Sequence, residues 1–268
     1  MTRSRRIWDV AVSLLRIGFA DAMAYRSEAI IWFLSTTTPL IMMVLWTAVA
    51  SEAPVGRFGQ RDFVAYFLVT LVVRLLTGAW VVWEMNMDVR SGTLGMRLLR
   101  PIHPYLNYAA ENVGAWPLRL LTCVPVFVVL AVAVGPGALT HSPAQIAMLP
   151  FAILGAWLLT FTAMLAIGSL SFFWQSSLTL FHLWMALYFV LSGYIVPLEL
   201  FPPTLRSALA WLPFRYMLAF PVETALGLVS PWASASLLVR QWAFAAGFGV
   251  LAAVLWRKGV RRYEAFGG

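Results

Sequence analysis

The run Ile146–Trp174 contains no charged residue, and this restricts the fold more than any other feature of the chain. A helix needs a polar face if one side of it is to meet water, and this run offers none. At about 1.5 Å per residue it is also long enough to cross a hydrocarbon core of about 30 Å. Further apolar runs occur at Ile30–Ala50, Phe63–Glu84, Val113–Val134, Leu178–Pro197 and Gln241–Trp256. Apolar residues make up 61% of the chain and charged residues 11%, where soluble domains hold about 45–50% apolar. The mean hydropathy is +0.81. The sequence therefore predicts an all-α membrane protein, residues 1–268 forming a single domain with six transmembrane helices.

The segments between the runs set the orientation. Residues 7–23 read as a helix with a narrow polar stripe, Asp9, Ser13 and Arg16, flanked by arginines. Such a helix lies in the membrane interface rather than across it, and an interfacial helix is expected within residues 1–27. With both termini cytoplasmic, twelve basic residues lie inside, in the clusters Arg3–Arg26, Arg90–Arg100 and Arg257–Arg262. Four lie outside: Arg57, Arg61, Arg206 and Arg215. Arg and Lys concentrate on cytoplasmic segments, so this orientation is the expected one. The net charge of +8 is thus spread over membrane-flanking loops, which argues against a nucleic-acid-binding face. Trp80, Trp83, Trp174 and Trp256 stand near span ends and suit interfacial belts. Cys123 is the one cysteine, so no internal disulfide forms. Asp9, Arg16 and Asp21 interrupt the N-terminal stretch, which therefore lacks the clean apolar core of a cleavable signal.

Ser192–Gly227 behaves differently. Pro197, Pro202, Pro203, Pro213 and Pro221 break it repeatedly, since proline lacks a backbone donor and restricts the residue before it. Two short amphipathic pieces are expected between the breaks, Thr204–Leu212 and Tyr216–Leu226. A broken segment cannot face lipid, where its freed carbonyls would find no donor. It sits at the membrane surface or folds back into a protein-lined space. Gly193, Pro197, Phe201-Pro202-Pro203 and Leu212-Pro213-Phe214 resemble the close of the fifth span in ABC-2-type permeases. The continuation LPFRYMLAFPVETALG is similar to a two-permease exporter branch of that family. A common Asn-Pro form of the motif is replaced here by Leu212-Pro213, which sets the chain apart from the drug and polysaccharide branches. The resemblance implies an ABC-2 (type V) exporter-like fold, with an extracytoplasmic re-entrant helix pair over residues 198–236 before the last span.

The loop Glu84–Asn107 is the second informative stretch. Ser91-Gly92 precedes a short helix in which Leu94 and Leu98 stand at i, i+4 and Arg97 and Arg100 at i, i+3, before Pro101 ends it. So short a two-faced helix cannot bury its apolar side against itself. It suits a connector lying on lipid headgroups, or a docking element. It resembles the coupling helix of ABC-2-type permeases. That resemblance implies that Leu94, Arg97, Leu98 and Arg100, within a cytoplasmic loop 85–105, meet an ATP-binding subunit.

Absences restrict the chemistry. A P-loop needs a lysine after its glycines, and the only lysine, Lys258, follows no such motif. The chain is therefore not expected to be an enzyme. His103, His141 and His182 are far apart in sequence, and no metal site is expected. None of the eleven acids falls in the middle of a span, which argues against ion-coupled transport. Arg74 does stand mid-span. Two roles suit it: contact with a polar or anionic part of a substrate, or pairing with a neighbouring helix. A substrate pathway through Trp46, Arg74, Phe181, Trp184 and Tyr188 would suit an amphipathic or aromatic molecule.

Together with the resemblance, these readings point to the permease subunit of an ATP-binding cassette transporter in a bacterial plasma (inner) membrane, exporting an amphipathic or hydrophobic compound. The resemblance implies two copies of a separate ATP-binding subunit holding ATP and Mg, with no cofactor on this chain. It also implies a second permease chain, identical or related. A secondary transporter or channel working without an ATPase is the alternative, and dependence on an ATPase partner separates the two.

Overall fold

A computed structural model describes residues 12–13, 16–20, 23, 37–174 and 177–263. Most of the expected interfacial helix, and residues 30–36 of the expected first span, lie outside them. The described residues form helices joined by turns, without a strand. In chain order the helices are α1 (Thr38–Val49), α2 (Gln60–Thr77), α3 (Val81–Ser91), α4 (Leu94–Leu98), α5 (Pro104–Gly114) and α6 (Trp116–Ala133). There follow α7 (Pro143–Ser169), α8 (Ser177–Leu191), α9 (Pro203–Leu209), α10 (Phe214–Met217), α11 (Ala219–Ala225) and α12 (Pro231–Val260). Among the described residues four stretches are long and apolar enough to cross a membrane: Gln60–Ser91, Pro104–Ala133, Pro143–Phe172 and Pro231–Val260. α1 and α8 are shorter apolar helices.

Several boundaries differ from the expected ones. The second span is broken between α2 and α3, at Gly78-Ala79-Trp80. The last helix begins at Pro231, well before Gln241, because Ser230 caps it by accepting from the Ala233 amide and proline suits the first turn. Residues 231–236 thus belong to α12 and not to the segment before it. Pro39 stands in the first turn of α1. Trp256, expected in an interfacial belt, is buried against Tyr105, His103 and Phe172.

α7 and α12 pack along one another at the centre. Gly155 on α7 allows the approach, since a Cβ there would lie 2.5 Å from Gln241 Oε1. Gln241 Nε2 donates to the carbonyls of Ala152 (2.9 Å) and Tyr216 (2.8 Å), tying α12 to α7 and α10. Large apolar side chains face outward instead, among them Leu121, Val128 and Val132 on α6 and Val239 and Val250 on α12. Water would not tolerate so much exposed apolar surface. Hydrocarbon does.

The two ends of the bundle are built differently. One gathers the loop before α2, the broken segment after α8 and the starts of α7 and α12. There Gln145 Nε2 donates to Val229 O (2.7 Å) and Ser234 Oγ (3.1 Å), and the Thr140 amide donates to Ala225 O (2.8 Å). The other end gathers α4, the start of α5 and the ends of α7 and α12, where Tyr105 Oη meets Ser169 Oγ (2.8 Å) and donates to Ala252 O (3.1 Å).

The broken segment enters the bundle. α9 is largely exposed, with Leu209 turned inward. α10 and α11 are not the single amphipathic piece expected from Tyr216–Leu226. Leu218, with φ −141° and ψ −62°, divides them. Their side chains are buried almost without exception, because they wedge between α2, α7 and α12. Gly193 makes the entry possible. Its φ is +86°, and a Cβ would fall 2.6 Å from Tyr66 Oη, which donates to Gly193 O at 2.8 Å. A Gly193→Ala substitution should therefore lower the stability of the purified chain by about 1–3 kcal/mol. Thermal unfolding in detergent measures this, and an unchanged midpoint would contradict the role given to Gly193.

Candidate coupling segment and the broken second span

α3 ends at Gly92, whose φ of +78° turns the chain back on itself into α4. Leu94 is thereby fully buried, in the cluster of Met85, Val89 and Tyr108. Arg97 is held from two sides. Its Nε lies 2.8 Å from Asp88 Oδ2 on α3 and its Nη1 3.0 Å from Glu111 Oε1 on α5. The guanidinium stands 4.7 Å over the Tyr108 ring, and Tyr108 Oη donates to the same Asp88 oxygen at 2.6 Å. Burial works against the charge of Arg97, but Glu111 and then Asp88 outweigh it and hold its pKa above the usual arginine value. Thr93 Oγ1 adds a hydrogen bond to Asp88 Oδ1 at 2.9 Å.

Leu94 and Arg97, expected to face a partner with Leu98 and Arg100, thus serve inside the chain. The i, i+4 spacing placed both leucines on one face without revealing that the turn at Gly92 presses the first of them onto α3. Met96 (70% exposed), Leu99 (86%) and, less so, Leu98 (36%) remain outward, with Arg100 beside them. Just beyond, His103 caps α5 by accepting from the Tyr105 amide at Nδ1 (3.2 Å). Burial keeps the His103 pKa below its ordinary value, so the nitrogen stays free to accept at neutral pH.

The break in the second span is served from α5 and α6. Gly78 has extended backbone, and its freed carbonyl accepts from Arg119 Nη1 (2.8 Å) and from Asn112 Nδ2 (3.4 Å). Trp157 Nε1 in turn donates to Asn112 Oδ1 at 2.7 Å. On the other side of the break Arg74 lies 5.9 Å over the Trp80 ring and 5.4 Å over the Tyr188 ring. Aromatic faces therefore receive this mid-span cation.

The family follows from the whole of this length of chain. A family model described as an ABC-2 family transporter protein matches residues 32–267, from before α1 to beyond α12. The chain belongs to the ABC-2 transporter family. A search of the curated proteins found no significant match. ABC-2 permeases are in general non-catalytic membrane components that typically work with an ATP-binding subunit.

In this ABC-2 chain no cavity lined by the described residues gathers the five residues of the expected substrate pathway. Arg74 and Tyr188 share a space of about 10 Å³ with Met185 and Met217, about what one water needs. Trp46 stacks on Phe63 and donates to Ile195 O at 2.9 Å, near the other end of α2. Phe181 packs edge-on against Trp80 and Trp83, and Trp184 lies between Phe214 and Phe248. Sequence reasoning missed Asp88, Glu111 and Arg119. Their only signal was charge standing close to or inside apolar runs.

The brace on α4 has a measurable consequence. Arg97→Gln should raise backbone hydrogen exchange across residues 92–100 while leaving α7 protected. Arg97→Lys should restore little, since one ammonium cannot bridge both carboxylates with the arginine fork. Unchanged protection in Arg97→Gln would show that the two ion pairs do not hold α4.

Proposed function

We propose that this chain is the membrane-spanning permease of an ATP-driven exporter, with α1 and α8 completing six spans and both termini cytoplasmic in a bacterial plasma membrane. The observation that carries the reading is α4 and the turn that follows it: pinned from within by Leu94 and Arg97, they present Met96, Leu98, Leu99 and Arg100 outward at one end of the bundle. An apolar patch on a rigid, membrane-flanking turn is suited to a groove on a soluble partner. That partner is a separate ATP-binding subunit, in two copies, which carries ATP and Mg. A second permease chain, identical or related, completes the assembly. Closure of the ATP-binding subunits presses on α4, and the brace passes the displacement to α3 and α5 together. The 10 Å³ space at Arg74 admits no substrate, so an amphipathic or hydrophobic cargo passes between the two permeases, or opens the Arg74–Tyr188 region as the spans move.

Leu99→Asp tests the docking face. Leu99 is exposed, so the permease should fold normally, whereas an unpaired charge in a desolvated contact is costly. Pull-down of a co-expressed ATP-binding subunit should fall by about tenfold or more, at about 1.4 kcal/mol per decade. Arg100→Glu should weaken recovery mainly at low salt, as a rim charge does. Transport in vesicles should stop with vanadate and survive collapse of the ion gradient. Full recovery with Leu99→Asp would remove α4 as the docking site.

A further inference from the structure

At the end of the bundle opposite α4, Arg57, Arg206, Arg215, Glu199 and Glu223 line a cavity of about 220 Å³, with Tyr66 also in its wall. Both carboxylates are engaged. Glu199 Oε2 lies 2.6 Å from Arg57 Nη2, and Glu223 Oε2 lies 2.8 Å from Arg215 Nη2. Arg57 Nη2 also donates to Leu228 O at 3.1 Å, and the Tyr66 hydroxyl proton is committed to Gly193 O. A guanidinium carries five N–H donors in a planar fork, so most donors of the three arginines meet no acceptor among the described residues. Arg215 Nε is buried without an acceptor among the described residues. Arg206, at the exposed edge, has no carboxylate partner among them.

Three positive groups against two negative ones, with a buried donor left over, favour a ligand rich in acceptors and negatively charged. The site is built before any ligand arrives, because Arg215 and Glu223 stand on the buried α10 and α11. A tetrahedral oxyanion reaches several forks at once, which a planar carboxylate does less well. We propose that this cavity binds a phosphate group through Arg206, Arg215 and Arg57, with Glu199 competing for Arg57. The assignment rests on the cavity alone and does not depend on docking at α4. Two sources could supply the group, an anionic phospholipid headgroup or a free phosphate compound.

The test uses the full chain in two arms. In one, the delipidated protein in non-ionic detergent is titrated calorimetrically with inorganic phosphate. In the other, native mass spectrometry measures phosphatidylglycerol retained from mixed phosphatidylcholine–phosphatidylglycerol nanodiscs. Binding in the titration assigns a free phosphate compound, and retention without titratable binding assigns the headgroup. In whichever arm binding is seen, Arg206→Gln should weaken it about tenfold or more, and Glu199→Gln should strengthen it by releasing Arg57. Arg61→Gln makes the same charge change at an exposed residue outside the cavity wall and should leave binding unchanged. Absence of binding in both arms overturns the proposal. So does equal weakening by Arg61→Gln and Arg206→Gln, or indifference to both Arg206→Gln and Glu199→Gln.

Discussion

Hydrocarbon offers no hydrogen bond, so a helix that breaks inside a bilayer must find the missing partners within its own protein. Much of this structure follows from that constraint. Between α2 and α3 the carbonyl of Gly78 is freed, and Arg119 and Asn112 supply the donors. Around α10 and α11, Gln241 serves Tyr216 O and the Thr140 amide serves Ala225 O. Gln145 does the same for Val229 O as the chain enters α12. Each irregular stretch is admitted because a polar side chain or amide on a neighbouring element meets it.

The same economy governs charge. Arg74 has aromatic faces, Arg97 has two carboxylates and a ring, and Arg215 has Glu223. A single brace at Arg97 joins α3, α4 and α5, and the break at Gly78 lies at the far end of α3. In the proposed coupling, α3 is thus a short lever: α4 loads one end, and the other meets α2 at a joint whose freed carbonyl is served by side chains. The interior of α7 and α12, packed around Gly155 and Gln241, gives the fixed body against which such a lever works.

Much of this is legible in the sequence. Apolar runs marked the long membrane helices, and the five prolines from Pro197 to Pro221 marked where the regular helix stops. The turn at Ser91-Gly92 and the short helix beyond it were also plain. Other features depend on contacts that local sequence does not encode. No proline announces the break at Gly78, and the apolar pattern resumes at once with Val81-Val82. Its partner Arg119 lies 41 positions further along the chain. Spacing placed Leu94 and Leu98 on one side of a helix, but the positive φ of Gly92 decided that Leu94 faces inward. The early start of α12 was masked by Ser234, Ser236 and Arg240, which lower the apolar signal without stopping a helix. Tyr216–Leu226 read as amphipathic, whereas Glu223 within it is turned inward to pair with Arg215 just before it.

The central claim is that α4 is the contact with an ATP-binding subunit, and site-directed cross-linking in native membranes tests it most directly. Cys123 is buried and is the one native cysteine, so a Cys123→Ala background carrying Leu99→Cys presents a single thiol at the C-cap of α4. A second background carries Arg206→Cys at the opposite end of the bundle. With a bifunctional thiol–amine reagent, the account predicts a covalent adduct between permease and co-expressed ATP-binding subunit from Leu99→Cys and none from Arg206→Cys. An adduct from Arg206→Cys with none from Leu99→Cys would contradict it.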